Sequence, residues 1–479
     1  EMVLADRYDK IRASDRIAIV YMLSSLGHFP SFFFDQMKQD QQLVQTASYS
    51  ELRKLLATIL RTEMEEFDLV NSILLQIHGL GSKLNDDQHQ EIALMVRDLR
   101  NTYPSVDPSK KVLFQSDSFI SWVLNHFDRK LKNEASTEAL MNALFFSSEL
   151  KTKNAILKKK LFAASEARFD RLNLAEKLNV VYYLSDMKIG ESKVLIKRAY
   201  NLLLGSDSTD QEMFKMLGDS ILPKLTASIK NTNFVLPEFY TNVMRAMRVN
   251  DFSYSLDNLI DICWVLYSLG HACPGANDTL LTYVMLRMTM FKDDCTSLSH
   301  YVKLIWCIAI ESTRNEFYLQ GGDMYKKANQ LFQRSNLKNL KKQELEMFYQ
   351  FLTIKKHLTS NSLWSVGELP YEKQLISLGR QYAKKDYAKF KVTHKDIIKD
   401  IARVLKRSQV EYEADVAIGS DIYVPFKIKS KQLLIYITSP TNSNRHSGLM
   451  FGADFLKMEA LSLAGYEISL IDQASYNSA

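Results

Sequence analysis

Residues 410–479 constrain the fold more than any other part of the chain. An amphipathic helix is predicted directly before them at residues 395–407, and a second helix at residues 455–464 stops at Gly465, a residue suited to a helix C-terminus. The order of elements is helix, three strands, helix, strand, which predicts a small α/β domain. The predicted strands are residues 410–418 (VEYEADVAI), 423–428, 432–438 (QLLIYIT) and 466–472 (YEISLID).

The chain upstream of this domain has the apolar periodicity of helices and a weak internal repeat. Residues 17–27 (IAIVYMLSSLG) and 262–270 (ICWVLYSLG) share the ending S-L-G-H, which His28 and His271 complete. Intervals between the clearer units are close to one or two multiples of about 40 residues, the length of a two-helix repeat. We therefore predict an α-solenoid of helix-turn-helix repeats. The alternative is a common helix-turn-helix pattern that recurs by chance.

Turn-rich segments set the expected domain boundaries. The clearest are residues 101–110, 205–211, 321–322 and 359–369, which are rich in Gly, Pro, Ser and Asn. We predict three parts: an α-helical repeat array over residues 1–358, a connecting helical segment over 359–394, and the α/β domain over 395–479.

The predicted α/β domain resembles the RAP domain, which lies at the C-terminus of organellar RNA-binding proteins such as the FAST-kinase-type mitochondrial family. The usual RAP pattern is a strand with a V-D-I-A-like core, a strand ending I-E-V-D-G-P-x-H, and a helix L-K-R-R-x-L-x-x-x-G-Y. The matching segments here are 414–418 (ADVAI), 435–440 (IYITSP) and 456–466 (LKMEALSLAGY), with the Lys-to-Gly spacing kept. The resemblance implies a restriction-endonuclease-like fold that follows helical repeats.

The acidic positions of the family pattern are only partly kept. Nucleases of the PD-(D/E)XK fold need carboxylates on adjacent strands to hold a divalent metal. Asp415 occupies the first acidic position, but Tyr436 and Thr438 replace the Glu and Asp of the second strand. We therefore expect a fold kept for binding and not an enzyme. A nuclease that uses Asp415 with a non-standard partner such as Glu413 is the alternative.

The composition is typical of a protein with a sizeable hydrophobic core and a small excess of basic residues. Hydrophobic residues make up 46% of the 479 residues and the net charge is +6, which permits a nucleic-acid partner. No apolar stretch is long enough to span a bilayer, so no membrane association is expected. The chain begins at Glu1, so we expect a targeting peptide that is not part of it, and the resemblance implies the mitochondrial matrix.

No metal, cofactor or small-molecule substrate is predicted. The cysteines have irregular spacing, which favours buried thiols over a zinc site, although His271 lies close to Cys273. Phosphate-binding loops, nucleophile elbows and zinc-protease motifs are absent from the sequence. The four cysteines are Cys263, Cys273, Cys295 and Cys307.

Three clusters of basic residues are the predicted RNA contacts of the helical part. The third is interleaved with Tyr382, Tyr387 and Phe390, and aromatic rings beside cations suit unpaired bases and phosphates. For each cluster the alternative is a solvated helix face. The predicted RNA-binding residues are Lys158, Lys159 and Lys160 in the first cluster, Lys341 and Lys342 in the second, and Arg380, Lys384, Lys385, Lys389 and Lys391 in the third.

The α/β domain contributes further predicted RNA contacts. Residues 438–448 (TSPTNSNRHSG) follow the position where a nuclease holds its metal, and their amide, Arg and His side chains suit phosphate and ribose. A surface loop without a ligand is the alternative. The residues predicted here are Asn442, Asn444, Arg445, His446 and, on the following helix, Lys457.

The resemblance and the basic clusters together imply an organellar RNA-binding protein. The favoured setting is a structural subunit or assembly factor of the mitochondrial ribosome, with ribosomal RNA and mitochondrial ribosomal proteins as partners. The second setting is a separate factor for processing or stabilising mitochondrial transcripts. Two alternatives from other classes are a metal-dependent endoribonuclease and a solenoid that binds only proteins.

Overall fold

The structure of the chain is a computed structural model. It describes residues 10–28, 35–36, 40–103, 106, 110–134, 136–204, 221–236, 238–250, 253–270, 279–290, 297–313, 342–358, 372–419, 422–439, 442–443, 450–473 and 476. These residues are mainly helical and carry one small mixed sheet near the C-terminal end, as the sequence predicts. The chain forms two compact units, Glu1–Ser192 and Lys193–Ala479.

The first unit is built from helices whose apolar faces pack on one another. Alternate helices are neighbours: α1 packs on α3, α3 on α5, α5 on α7, and α7 on α9. The residues at these contacts are mostly Leu, Ile and Val, and Leu55, Leu56 and Ile59 of α3 are fully buried. The described helices are α1 (Ala13–Ser25), α2 (Gln41–Thr46), α3 (Tyr49–Thr62), α4 (Phe67–Gly79), α5 (Asp86–Thr102), α6 (Asp117–Asn133), α7 (Thr137–Glu149), α8 (Ala155–Arg168) and α9 (Leu174–Asp186).

Side-chain caps fix where several of these helices begin. Ser48 before α3 and Asn173 before α9 each form a capping box with the Glu three residues later. In this arrangement two backbone N–H groups that the helix itself leaves unpaired gain acceptors. The helix starts are therefore encoded locally in the sequence.

The second unit begins with further helices. Here α11 packs on α13, α13 on α15, α15 on α16, and α16 on α17. The division after Ser192 falls inside the segment predicted as one helical array, and the predicted boundaries at residues 358 and 394 remain predictions. The described helices are α10 (Lys193–Leu204), α11 (Leu222–Asn231), α12 (Phe239–Val249), α13 (Leu256–Ser268), α14 (Thr279–Met290), α15 (Leu298–Ser312), α16 (Lys342–Leu358), α17 (Glu372–Thr393), α18 (Lys395–Arg407) and α19 (Gly452–Leu463).

The repeated S-L-G-H sequence marks helix ends. Gly27 follows α1 with φ +77° and Gly270 follows α13 with φ +61°, both in the left-handed region. The Gly27 and His28 N–H groups donate to Ser24 O and Leu23 O, which is the Schellman pattern. A left-handed position favours glycine, so the shared glycine is explained by helix termination. His271 lies outside the described residues.

The sheet has the strand order β1-β2-β3-β4. β1 (Tyr412–Ile418), β2 (Ile422–Ile428) and β3 (Leu433–Thr438) are antiparallel neighbours, and β4 (Glu467–Asp472) lies parallel to β3. A parallel pair requires a crossover, which α19 supplies between β3 and β4. All four strands lie within two residues of their predicted bounds, and α18 has the predicted bounds.

The sheet packs on α18 through an apolar core. Ile397 and Ile401 of α18 are buried against Phe426, Ile435 and Ile437 of the sheet. After α19, Gly465 has φ +88° and its N–H donates to Ser462 O, as predicted for this helix end. This core fixes α18 on the sheet and leaves the opposite side of the helix in solvent.

The part of the chain from α18 to β4, called the terminal module below, packs on the preceding helices of the second unit. α19 packs on α13, α15 and α16. At its first residue, Gly452, a side chain would meet the Trp306 ring and would lie 2.8 Å from the Tyr267 backbone oxygen. The helix start therefore has room only for glycine.

Two further expectations can be compared with the described residues. The thiols of Cys263 and Cys307 are buried in helices, as predicted, whereas Cys273 and Cys295 lie outside the described part. Among the described residues we find no helix with both the length and the apolarity needed to cross a bilayer. The predicted loops at residues 205–211, 321–322 and 359–369 also lie outside the described part.

Candidate nucleic-acid interface

Helix α17 carries the third basic cluster. Its cations and its apolar residues lie on different sides of the helix. Gly379 and Ala383 lie on the side that faces the rest of the unit, and Gly379 allows the Tyr349 ring to pack directly on the helix backbone. Another side of the helix is exposed. The exposed cations there are Arg380, Lys384, Lys385 and Lys389, while Lys391 is partly covered.

Four aromatic rings form a row across α17 and the sheet. Ring centroids are 5.4 Å apart for Tyr423 and Tyr387, 6.0 Å for Tyr387 and Phe390, and 5.5 Å for Phe390 and Tyr436. The planes of each pair lie within 21° of parallel. Tyr387 and Phe390, two of the three aromatic residues that the sequence shows between lysines, thus pack towards the sheet, and do not share a face with most of those lysines.

Asp415 lies at an irregular point of β1 and accepts two hydrogen bonds from α17. Its φ is +56°, and the β1–β2 pairing omits Asp415 and the opposite residue, Pro425, which has no N–H to donate. Tyr387 Oη donates to Asp415 Oδ1 at 2.8 Å, and Lys391 Nζ lies 3.0 Å from Oδ2. Burial and the Asp415 carboxylate raise the pKa of Tyr387. The carboxylate at the first acidic position is therefore tied to α17.

Tyr436 stands where the family pattern has an acid, and it is hydrogen-bonded to an acid on α19. The Tyr436 hydroxyl donates to Asp454 Oδ1 at 2.8 Å, and Lys457 Nζ donates to the same oxygen at 3.2 Å. Burial and the nearby Asp454 carboxylate raise the pKa of Tyr436 well above its ordinary value. Lys457, predicted to contact RNA, is thus paired with Asp454 at the wall of a cavity.

Asn442, predicted to contact RNA, is buried and holds the turn after β3. Its Oδ1 accepts from the Ser439 N–H at 2.7 Å and its Nδ2 donates to Ile437 O at 3.1 Å. Its carbonyl accepts from the Phe451 N–H at 2.8 Å. These bonds give Asn442 a structural role in positioning the loop. Asn444, Arg445 and His446 lie outside the described residues.

The first basic cluster lies in the first unit. Two of its three predicted RNA-binding lysines have partners within that unit. Lys158 Nζ donates to Met187 O at 2.7 Å, at the C-terminal end of α9, where a cation is favourable. Lys160 forms an ion pair with Asp128 at 3.0 Å, whereas Lys159 is exposed. In the second cluster, Lys341 and the Lys342 side chain lie outside the described part. The first and third clusters therefore belong to different units.

A row of cations on α18 was missed in the sequence, except for Lys395, which belongs to the end of the third basic cluster. Spacing of three or four residues places them along one side of this helix, opposite the apolar face that packs on the sheet. Asp396 and Asp400 also lie on the helix, and Arg403 pairs with Asp400 at 2.7 Å. The amphipathic pattern was the signal that could have identified this face. The exposed cations, called the α18 basic row below, are Lys395, Lys399, Arg403, Lys406 and Arg407.

A cavity of about 610 Å³ lies within the second unit, bounded by α16, α17, α19 and the sheet. The aromatic row lines it, together with Lys389, Lys457 and the Asn442 loop. This size is within the range of pockets that bury small ligands. Among the described residues, no group of three or more His, Cys, Asp and Glu side chains could hold a metal ion.

Comparison with known proteins gives no family assignment: no protein-family model and no curated protein matches the chain.

Proposed function

We propose that the chain is an RNA-binding protein whose second unit contacts RNA through α17 and α18. The observation that carries the proposal is the pair of consecutive helices with exposed cations, Lys384, Lys385 and Lys389 on α17 and the α18 basic row. Exposed Lys and Arg side chains neutralise phosphates and release counterions, which supplies affinity without sequence preference. The net charge of the chain, +6, has the sign that favours binding to the negatively charged phosphates of RNA.

We further propose that the helices form a solenoid and that the terminal module is a RAP-type, restriction-endonuclease-like domain. The packing of each helix on neighbours close in the chain, in both units, supports the first part. The order of elements from α18 to β4 supports the second part, as do the sequence matches around Asp415, Pro440 and Gly465. This module binds RNA and does not cleave it in our proposal.

The setting we propose is the mitochondrial matrix, where the protein is a structural subunit or assembly factor of the ribosome. The RAP resemblance supports an organelle, and extensive helical surfaces suit burial among ribosomal RNA and mitochondrial ribosomal proteins. A separate factor that processes or stabilises mitochondrial transcripts is the second setting.

Crosslinking of RNA to the protein in intact mitochondria, with sequencing and gradient sedimentation, tests this proposal. We expect crosslinks in ribosomal RNA and migration with a ribosomal subunit. Crosslinks in transcripts together with slow sedimentation would support the second setting. Absence of crosslinks would contradict RNA binding and favour a solenoid that binds proteins.

RNA incubated with the protein and Mg²⁺ is expected to stay intact, with the wild type and with Asp415→Asn alike. The reason is that the Asp415 carboxylate is held by Tyr387 and Lys391, and that Tyr436 offers no carboxylate beside it. Asn is the suitable replacement because it tolerates the left-handed backbone at this position. RNA affinity should equal or slightly exceed that of the wild type, since the change removes one negative charge. Gel analysis of labelled RNA and anisotropy measure the two results. Mg²⁺-dependent cleavage that Asp415→Asn abolishes would establish the nuclease alternative.

A further inference from the structure

Four aromatic rings line one side of the cavity in the second unit. Tyr387, Phe390, Tyr423 and Tyr436 line it with near-parallel rings. Planar heterocycles pack well against such surfaces, and aromatic side chains are the usual partners of unpaired bases. The aromatic lining of the cavity therefore suits a planar ligand.

The charges in the cavity do not suit a phosphate. Lys457 is paired with Asp454, and Lys389 lies 3.8 Å from Asp386, so each lining lysine has a carboxylate beside it. Glu346 also lines the cavity. An anionic group would meet carboxylates inside, whereas the exposed lysines Lys384 and Lys385 lie outside on the same helix. A nucleotide would therefore place its base inside and its phosphate outside.

The carboxylates of the cavity offer hydrogen-bond acceptors. Tyr436 and Lys457 both donate to Oδ1 of Asp454, so within the described residues its Oδ2 remains an acceptor. The Tyr387 and Tyr436 hydroxyls donate to Asp415 and Asp454, so their protons are already committed. A ligand that brings N–H donors is favoured over one that brings only carbonyl oxygens.

A buried histidine lies beside the cavity. His394, between α17 and α18, lines the cavity, is only 2% exposed, and packs on Phe390 with ring centroids 4.5 Å apart. Its Nδ1 is buried and has no hydrogen-bond partner in the described part of the chain. Buried polar atoms are nearly always paired, so one without a partner calls for an explanation. Burial also lowers the pKa of His394, which keeps the imidazole neutral and able to both donate and accept.

We propose that this cavity binds an unpaired nucleobase that carries an exocyclic amino group, such as adenine or cytosine. The base would pack against the aromatic row, and its amino group would donate to the carboxylates. This inference rests on the RNA-binding function proposed above and specifies what that function recognises. Uracil, which lacks the amino group, would bind more weakly.

Nucleoside binding to the full chain tests the inference, with adenosine, cytidine and uridine as probes. We expect saturable binding of adenosine and cytidine by calorimetry, at least about tenfold tighter than uridine, since an unmatched buried polar group lowers affinity. The Ala383→Trp change fills the cavity from α17 and should abolish this binding. The Ala388→Trp change, at an exposed position of the same helix, should leave it intact.

The outcomes separate this inference from the RNA-binding proposal. Circular dichroism and thermal unfolding of Ala383→Trp show whether the variant is folded, and Thr353→Trp on α16 offers a second way to fill the cavity. No nucleoside binding by the wild type, equal binding of uridine, or binding unaffected by both folded variants would overturn the base pocket. RNA oligonucleotide binding that persists in such a case would leave the RNA-binding function standing.

Discussion

Replacing Lys399, Arg403 and Lys406 of α18 together by Gln is expected to weaken single-stranded RNA binding by about 10- to 100-fold at about 0.1 M salt. All three side chains are exposed on the side of α18 opposite its apolar core. Each lost phosphate contact removes about 0.7 from the slope of log K against log salt, so the slope should become shallower by about 2. Anisotropy of a labelled RNA, titrated at several salt concentrations, measures both quantities.

The matched control removes the same charge elsewhere. Lys10, Lys83 and Lys197 are exposed lysines outside α17 and α18, and replacing all three by Gln lowers the net charge equally. We expect this variant to keep nearly all of its affinity. An equal loss in both variants would mean that overall charge, and not the α18 basic row, governs binding.

Gly452→Ala is expected to destabilise the second unit by about 1–3 kcal/mol, because the added methyl group overpacks a closed contact. The new Cβ would press on the Trp306 ring and lie 2.8 Å from the Tyr267 backbone oxygen, and a backbone atom cannot move without shifting its helix. The start of α19 should therefore lift from α13 and α15. Thermal unfolding and hydrogen exchange of α19 and β4 peptides measure the effect.

Gly79→Ala is the control for this change. Gly79 ends α4, and a Cβ there would meet no atom within 4 Å. Alanine has the higher helix propensity, so the variant should be as stable as the wild type or up to about 1 kcal/mol more stable. Similar melting temperatures for both variants would show that Gly452 is not a close packing point.

The terminal module was predictable because its signals are local. Strands β1 to β4 have short apolar segments bounded by turn residues, and Gly465 marks a helix end through its backbone conformation. The bounds of α18 follow from the regular spacing of its apolar and charged residues along the sequence. Such patterns depend on neighbours in sequence, and so a single sequence contains them.

The candidate site was less predictable because its contacts join distant residues. Tyr436 and Asp454 meet only when α19 crosses back over the sheet, and Tyr387 reaches Asp415 only when α17 packs beside β1 and β2. The cavity also needs α16, which precedes the predicted domain. The bond of Lys158 to Met187 O is of the same kind, because it joins two helices that are separate in the sequence.

Photocrosslinking of a 4-thiouridine-labelled RNA to the full chain, followed by mass spectrometry of the linked peptides, tests the central claim most directly. The proposed interface predicts crosslinks in peptides from α17 and α18, and their loss in the variant with Gln at positions 399, 403 and 406. Crosslinks confined to the first unit, or none above background, would contradict an RNA-binding surface on these two helices.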